Sequence, residues 1–187
     1  RKKLFKILGK NFNSAGERVW LKRRFKEYKI EDGDLSKLKM RMDIIPVSLA
    51  LAQAANESGW GTSRFALEGN ALFGQWTWSK KGISPKNKDP NKSHKVLQFQ
   101  ILKASVRAYK NNLNTHNAYR EFREARAKLR QEDKKIIGLE LSKYIKNYAS
   151  IGEKYVEIIE SIIVRNSLTD FDKATLLPTN LVEDVSL

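Results

Sequence analysis

The residues best placed to do chemistry lie in the stretch Gln53-Ala54-Ala55-Asn56-Glu57-Ser58-Gly59-Trp60-Gly61. Glu57 follows Ala54 by three residues and Ala50 by seven. It therefore projects from the edge of the face formed by Val47, Ala50, Leu51, Ala54 and Ala55, which recur at helical spacing. Pro46 suits the first position of that helix, where an N–H would have no partner, and Gly59 supplies a stop. A carboxylate in the last turn of a mostly apolar helix is disfavoured in its charged form by the helix dipole and by desolvation. Both raise its pKa, as a general acid near neutral pH requires. The same position also suits a solvated glutamate at a frayed helix end, and position alone does not separate the two.

The neighbouring residues narrow the chemistry. Asn70 to Trp78 is dense in aromatics without helical period. Phe73, Trp76 and Trp78 could fill a core or, in a cleft wall, stack on sugar rings. Residues 79–95 form a polar, turn-rich loop of a length that is often functional. The chain has two histidines, His94 and His116, and no cysteine, a poor set for a zinc site; no metal or cofactor is expected. It also lacks a serine nucleophile elbow and a phosphate-binding glycine loop. A carboxylate, aromatics beside it and a polar loop facing both fit glycosidic bond cleavage, in which an acid protonates the leaving oxygen.

The elements that must position these groups are mostly helices. One is expected over residues 17–30, with Leu21, Phe25 and Tyr28 on one face, and a second on the spacing of Leu35, Leu38, Met42 and Ile45. Thr62 or Ser63 can cap a short helix that Gly69 closes. Val96, Leu97 and Phe99 suggest a strand returning from the loop. Leu102, Val106, Tyr109 and Leu113 mark the next helix. Another follows on Ala118, Phe122, Ala125 and Leu129, with Arg120, Arg123, Arg126, Lys128 and Arg130 around it. Ile137 to Tyr148 gives one more, and a Ser150–Glu153 capping box starts the last, which runs to Asn166.

A chain of 187 residues suffices for one domain with a full core. Its 36 Lys and Arg against 21 Asp and Glu give a net charge of +15. That balance suits an anionic partner (nucleic acid, membrane surface or acidic polymer) and equally a solvated surface. The signatures of RNA-binding sheets and zinc fingers are missing, so no specific nucleic-acid recognition is expected. Val47–Ala52 and Ile158–Val164 are too short or interrupted to span a membrane. The chain begins at Arg1, which leaves a signal or membrane anchor outside it open.

Residues 46–66, from Pro46-Val47-Ser48 through Ala55-Asn56-Glu57-Ser58-Gly59-Trp60-Gly61-Thr62 to Ala66, resemble the core motif of the bacterial glucosaminidases, in the Bax-like branch of glycoside hydrolase family 73. Asn70-Ala71-Leu72-Phe73-Gly74-Gln75-Trp76 resembles the following motif of that branch. So do Asn112-Leu113-Asn114-Thr115-His116 with Ala118-Tyr119, and Tyr148-Ala149-Ser150-Ile151-Gly152 with Tyr155-Val156. The resemblance implies an α+β, mainly α fold: a lysozyme-like helical domain with a small β lobe beside the catalytic helix. It divides the chain into a basic N-terminal helical extension (1–34), the glucosaminidase domain (35–168) and an acidic tail packed on the surface (169–187).

The implied activity is hydrolysis of the β-1,4 bond after N-acetylglucosamine in peptidoglycan. Glu57 matches the catalytic acid and Tyr148 a tyrosine lining the same cleft. Phe73, Gly74 and Trp76 would line the sugar subsites, with Asn70 and Trp60 as further substrate contacts. Relatives often carry a second acid on the β lobe; here the only one in the matching stretch is Asp89, which is also a plausible turn residue before Pro90. Without it, the substrate's own N-acetyl group could act as nucleophile. The alternatives are a weakly active or non-catalytic relative that binds glycan or polyanion, and a lytic transglycosylase. Peptidoglycan strands are the expected partner, the periplasm or cell envelope the expected place, and a monomer the expected state.

Overall fold

The structure, a computed structural model, describes residues 1–77, 82–83 and 95–175. The apolar run after Pro46 forms α4 (Val47–Ser58), the helix on which the other elements converge, with Leu49, Ala52 and Gln53 fully buried. It ends where expected: Gly59 takes the left-handed conformation (φ 57°) and its N–H bonds Ala55 O. Around α4 pack Tyr109 and Leu113 of α6 (Leu102–Thr115), Phe122 of α7 (Arg120–Gln131) and Leu141 of α8 (Gly138–Leu141). Tyr155, Ile159 and Ile163 of α9 (Glu153–Arg165) complete this core. The preceding α5 (Arg64–Gly69) is capped by Ser63, whose oxygen accepts from Ala66 N, and closed by Asn70 in the left-handed region rather than by Gly69.

Among the described residues, a three-stranded antiparallel sheet of order β1-β3-β2 follows α5. It consists of β1 (Trp76–Thr77), β2 (Gly82–Ile83) and β3 (Lys95–Leu97), with Trp76 opposite Val96 and Gly82 opposite Leu97. The Val96–Leu97 strand is thus present, and Phe99 lies beyond it, its N–H bonded to Gly69 O. The fold is α+β and mainly α, with a small β lobe, as expected.

Three further local expectations need correction. Pro46 is the N-cap of α4, not its first helical residue, and offers no side-chain acceptor. Ser150 and Glu153 form no capping box: the N-cap of α9 is Gly152, and Glu153 instead pairs with Lys146 at 3.3 Å. A capping box does form where it was not anticipated, between Ser14 and Glu17. Third, the arginines of α7 do not all face water, since Arg123 and Arg126 are buried. Arg123 donates to the carbonyls of Leu113 and His116 at the C-terminal end of α6, where a cation is favoured. Arg126 donates to Ile44 O, Met40 O and Asn114 Oδ1 at 2.5, 2.9 and 2.7 Å.

The N-terminal end of α4 is held by a residue from far along the chain. The turn Leu168–Lys173 brings Asp172 to accept from Ser48 N, Ser48 Oγ and Gly138 N, at 2.9, 2.7 and 3.0 Å. One carboxylate thereby caps α4, which Pro46 leaves uncapped, and the start of α8. The two helix ends are so close that a Cβ on Gly138 would lie 2.1 Å from Ser48 Oγ.

A second, smaller core lies ahead of α4. Leu4 of α1 (Lys2–Leu8), Tyr28 and Ile30 after α2 (Ala15–Glu27), and Leu38 of α3 (Leu35–Arg41) are buried together, with Leu21, Phe25 and Met42 against them. Buried Asp43 joins the two cores, paired with Arg1 at 2.9 Å and with Arg130 at 3.1 Å.

Replacing Asp172 by alanine should cost about 1–2 kcal/mol of unfolding free energy, because two helix starts lose their acceptor. Urea unfolding of the purified variant measures this. A change within a few tenths would mean that water serves these N–H groups equally well.

Candidate active site

Glu57 sits one turn beyond Gln53 on α4, so both point to the same side. Gln53 is fully buried, and an amide in that position must find partners for its oxygen and its nitrogen. It finds two tyrosines. Tyr109 donates its hydroxyl to Gln53 Oε1 at 2.8 Å, and Gln53 Nε2 donates to the Tyr155 oxygen at 2.9 Å. Tyr155 then has one proton to give, and it donates it to Glu57 Oε1 at 2.9 Å. Every link in this relay is fixed in direction, since Tyr109 can only serve the amide oxygen as donor.

The other oxygen of Glu57 faces Gly74. A Cβ built on Gly74 would fall 2.8 Å from Glu57 Oε2, and the backbone there is left-handed (φ 56°). Only glycine meets both demands cheaply. The carboxyl group is therefore held between Tyr155 on one oxygen and the Gly74 backbone on the other. Its pKa is raised by burial, against the opposing effect of the hydrogen bonds from Tyr155 and Asn56. Among the described residues no second carboxylate contributes to that shift.

The floor beneath Glu57 is aromatic. Phe73 stacks on Tyr109 with centroids 3.9 Å apart, and Tyr148 stacks on Tyr155 at 5.6 Å. Tyr119 closes the group 6.2 Å from Tyr148. Tyr148 donates its hydroxyl to Phe73 O at 2.8 Å, so its proton is committed to the backbone next to Gly74. The Tyr119 hydroxyl is pushed up to about 12 by burial, with the Glu57 charge a lesser contributor.

The residues singled out from sequence fall into distinct places. Glu57, Gly74 and Tyr148 come together. Phe73 is buried and forms part of the floor, with its ring facing Tyr109 rather than open surface. Asn70 ends α5 and donates from Nδ2 to Phe99 O, tying α5 to the chain leaving β3. Trp60, three residues past Glu57, is 63% exposed and held left-handed (φ 57°), an uncommon state for a bulky residue. Trp76 contributes its backbone to β1. Asp89, Trp78 and His94 lie outside the described residues.

The sequence reading missed Gln53 and Tyr155 as part of this site. Its available signal was a glutamine one turn before the glutamate on an alanine-rich helix. An open cavity of about 560 Å³, lined among others by Ile44, Lys135, Ile136 and Thr169, lies at the N-terminal end of α4, a helix length away.

Residues 34–168 match the glucosaminidase family, described as mannosyl-glycoprotein endo-beta-N-acetylglucosaminidase. Protein bax of Escherichia coli (strain K12) is 38% identical over 148 residues, covering 76% of this chain and 53% of the relative. The chain thus spans about half the length of the curated relative it matches. No solved structure matches the chain.

The relay makes a signed prediction about titration. The Tyr155 O–H stabilises the charged carboxylate, so Tyr155→Phe removes a contribution that lowers the Glu57 pKa and leaves burial to act alone. The Glu57 pKa should rise further, and the pH at which the group loses its proton should move up. Carbon-detected NMR titration of the side-chain carboxyl reads this directly; a fall would show that the hydroxyl does not donate to Glu57.

Proposed function

The chain belongs to the glucosaminidase family, and from that premise we propose that it cleaves the β-1,4 bond after N-acetylglucosamine in peptidoglycan, with Glu57 as general acid. The observation that carries this reading is the half-buried Glu57 carboxyl, raised in pKa by burial and held between Tyr155 and Gly74. Burial keeps it protonated to higher pH than an ordinary glutamate. The Tyr155 proton occupies Oε1, so the transferable proton resides on Oε2. Oε2 gives that proton to the glycosidic oxygen as the bond breaks, and the carboxylate left behind keeps its hydrogen bond from Tyr155.

The sugar is recognised around this centre by Trp60, whose exposed ring borders the end of α4. Keeping a tryptophan left-handed costs about 1 kcal/mol, which suits a ring held out for a ligand. The second group, either Asp89 activating water or the substrate's N-acetyl oxygen attacking the anomeric carbon as nucleophile, lies outside the described residues or in the substrate. Peptidoglycan glycan strands in the cell envelope are the substrate and setting this reading assigns.

Three experiments test it. Glu57→Gln keeps size and hydrogen bonding but has no acidic proton, so release of soluble fragments from purified sacculi should fall by about 100-fold or more. Mass spectrometry of reduced products from the wild type should show N-acetylglucosamine ends; anhydro-muramic ends would move the cleaved bond and identify a transglycosylase instead. Trp60→Gly should raise KM several-fold while stability holds or improves, since glycine accepts the left-handed backbone without strain. An unchanged KM would remove Trp60 from the sugar site.

A further inference from the structure

The basic charge is unevenly placed. The first 30 residues hold eleven Lys and Arg against two Glu, so they carry nine of the fifteen net positive charges. They also precede residue 34, where the family match begins. This segment therefore lies outside the matched range.

Its outer face is built along α2. Arg18, Lys22, Arg23 and Lys26 follow one another at four, one and three residues, which places them on one side of the helix, with Val19 among them. All five are exposed. The adjoining side packs Trp20, Leu21 and Phe25, all partly buried, against the second core. Among the described residues, no carboxylate lies within ion-pair distance of Arg18, Lys22, Arg23 or Lys26, whereas Lys10 pairs with Glu17 and Arg24 with Glu27. Phe12 extends this face beyond the helix start. Its ring is 78% exposed and lies 5.9 Å from the Arg18 guanidinium, which is anchored by a bond to Asn13 O at 2.6 Å. Beside the cations runs an open groove of about 530 Å³ that includes Leu21, Phe25 and Ile30.

From this arrangement we infer that the outer face of α2, with Phe12 at its edge, is a docking surface for an anionic phospholipid membrane. Four cations with no carboxylate partner among the described residues complement a layer of phosphodiesters on one helix face, and an exposed phenylalanine with Val19 supplies shallow apolar insertion. Among the described residues no helix is long and apolar enough to cross a membrane, and the contact inferred here is peripheral. The attraction is mainly electrostatic, so it weakens with salt.

The test is vesicle co-sedimentation of the full chain at low and physiological salt. Vesicles of phosphatidylcholine alone are compared with vesicles containing about 30 mol % phosphatidylglycerol, an anionic lipid. The wild type should bind only the anionic vesicles, and less as salt rises. Each lost cation should weaken binding about five-fold, so the triple variant Lys22→Glu, Arg23→Glu, Lys26→Glu should lose about 100-fold or more. A control with equal charge change on α6, Lys103→Glu, Arg107→Glu, Lys110→Glu, should lose far less. Phe12→Ser should weaken binding several-fold without altering thermal unfolding. Equal losses in both triple variants, equal binding to neutral vesicles, or binding to sacculi or an acidic peptide but not to vesicles would overturn the inference. Cleavage of soluble glycan fragments should be the same in all variants, which separates this surface from the site at Glu57.

Discussion

A buried amide fixes the arrangement at the centre of this structure. Gln53 is the one fully buried long polar side chain of α4, and it is satisfied only if a hydroxyl donates to its oxygen and another group accepts from its nitrogen. Tyr109 and Tyr155 supply these from α6 and α9. Leaving either atom of the amide unpaired would cost about 1–3 kcal/mol. The docking of both helices on α4 is therefore specified by polar complementarity as well as by burial of Leu49, Leu113 and Ile159. The position of the Tyr155 proton on Glu57 follows from the same requirement. In this sense the orientation of the Glu57 carboxyl is decided by a residue with no exposed surface of its own.

Much of the site was legible in the sequence because its elements are local. Pro46, the alanine-rich face, Glu57 and Gly59 fall within one helix, and 3.6-residue periodicity places them. Gly74 and Tyr148 were reached through motifs of the resemblance, and the structure brings both to Glu57. What escaped the sequence was set by pairing across long separations. Gln53 and Tyr155 are 102 residues apart, and Asp172 lies 124 residues from Ser48. No local pattern distinguishes Tyr155 from Tyr148, which stack face to face; only the three-dimensional arrangement shows that one hydroxyl points to Glu57 and the other to Phe73 O. Ser150–Glu153 fails as a capping box for a related reason: Gly152, at φ 58°, redirects the chain before α9 starts, so Ser150 is too far back.

Net charge misled in a similar way, because composition does not say where charges sit. Arg123 and Arg126 belong to the count of +15 but face backbone carbonyls inside the protein. Burial lowers the Arg126 guanidinium to about 10, still well above neutrality, so it remains charged and is stabilised by its three acceptors and by the nearby Asp43. These two cations hold α6 and the segment before α4 in place. Removing them from the surface leaves nine of the remaining thirteen net positive charges on the first 30 residues, outside the family-matched region.

The two influences on Glu57 oppose each other, and the balance between them suits an acid. Burial alone would keep the proton firmly in place and would leave the carboxylate poorly stabilised once the proton had gone. The Tyr155 hydrogen bond acts in the other direction: it is weak while Glu57 is neutral and strengthens as negative charge develops on the carboxyl. An interaction that grows along the reaction lowers the barrier, whereas one of constant strength only alters binding. For the bond to act in this way the hydroxyl must already point at Oε1 before charge appears. Tyr109 and Gln53 ensure that it does, since reversing the Tyr155 proton would set it against the Gln53 N–H. In the proposed reaction the relay thus supplies a preorganised dipole at the carboxyl where charge would develop, and its cost is met during folding, when the amide of Gln53 finds its two partners.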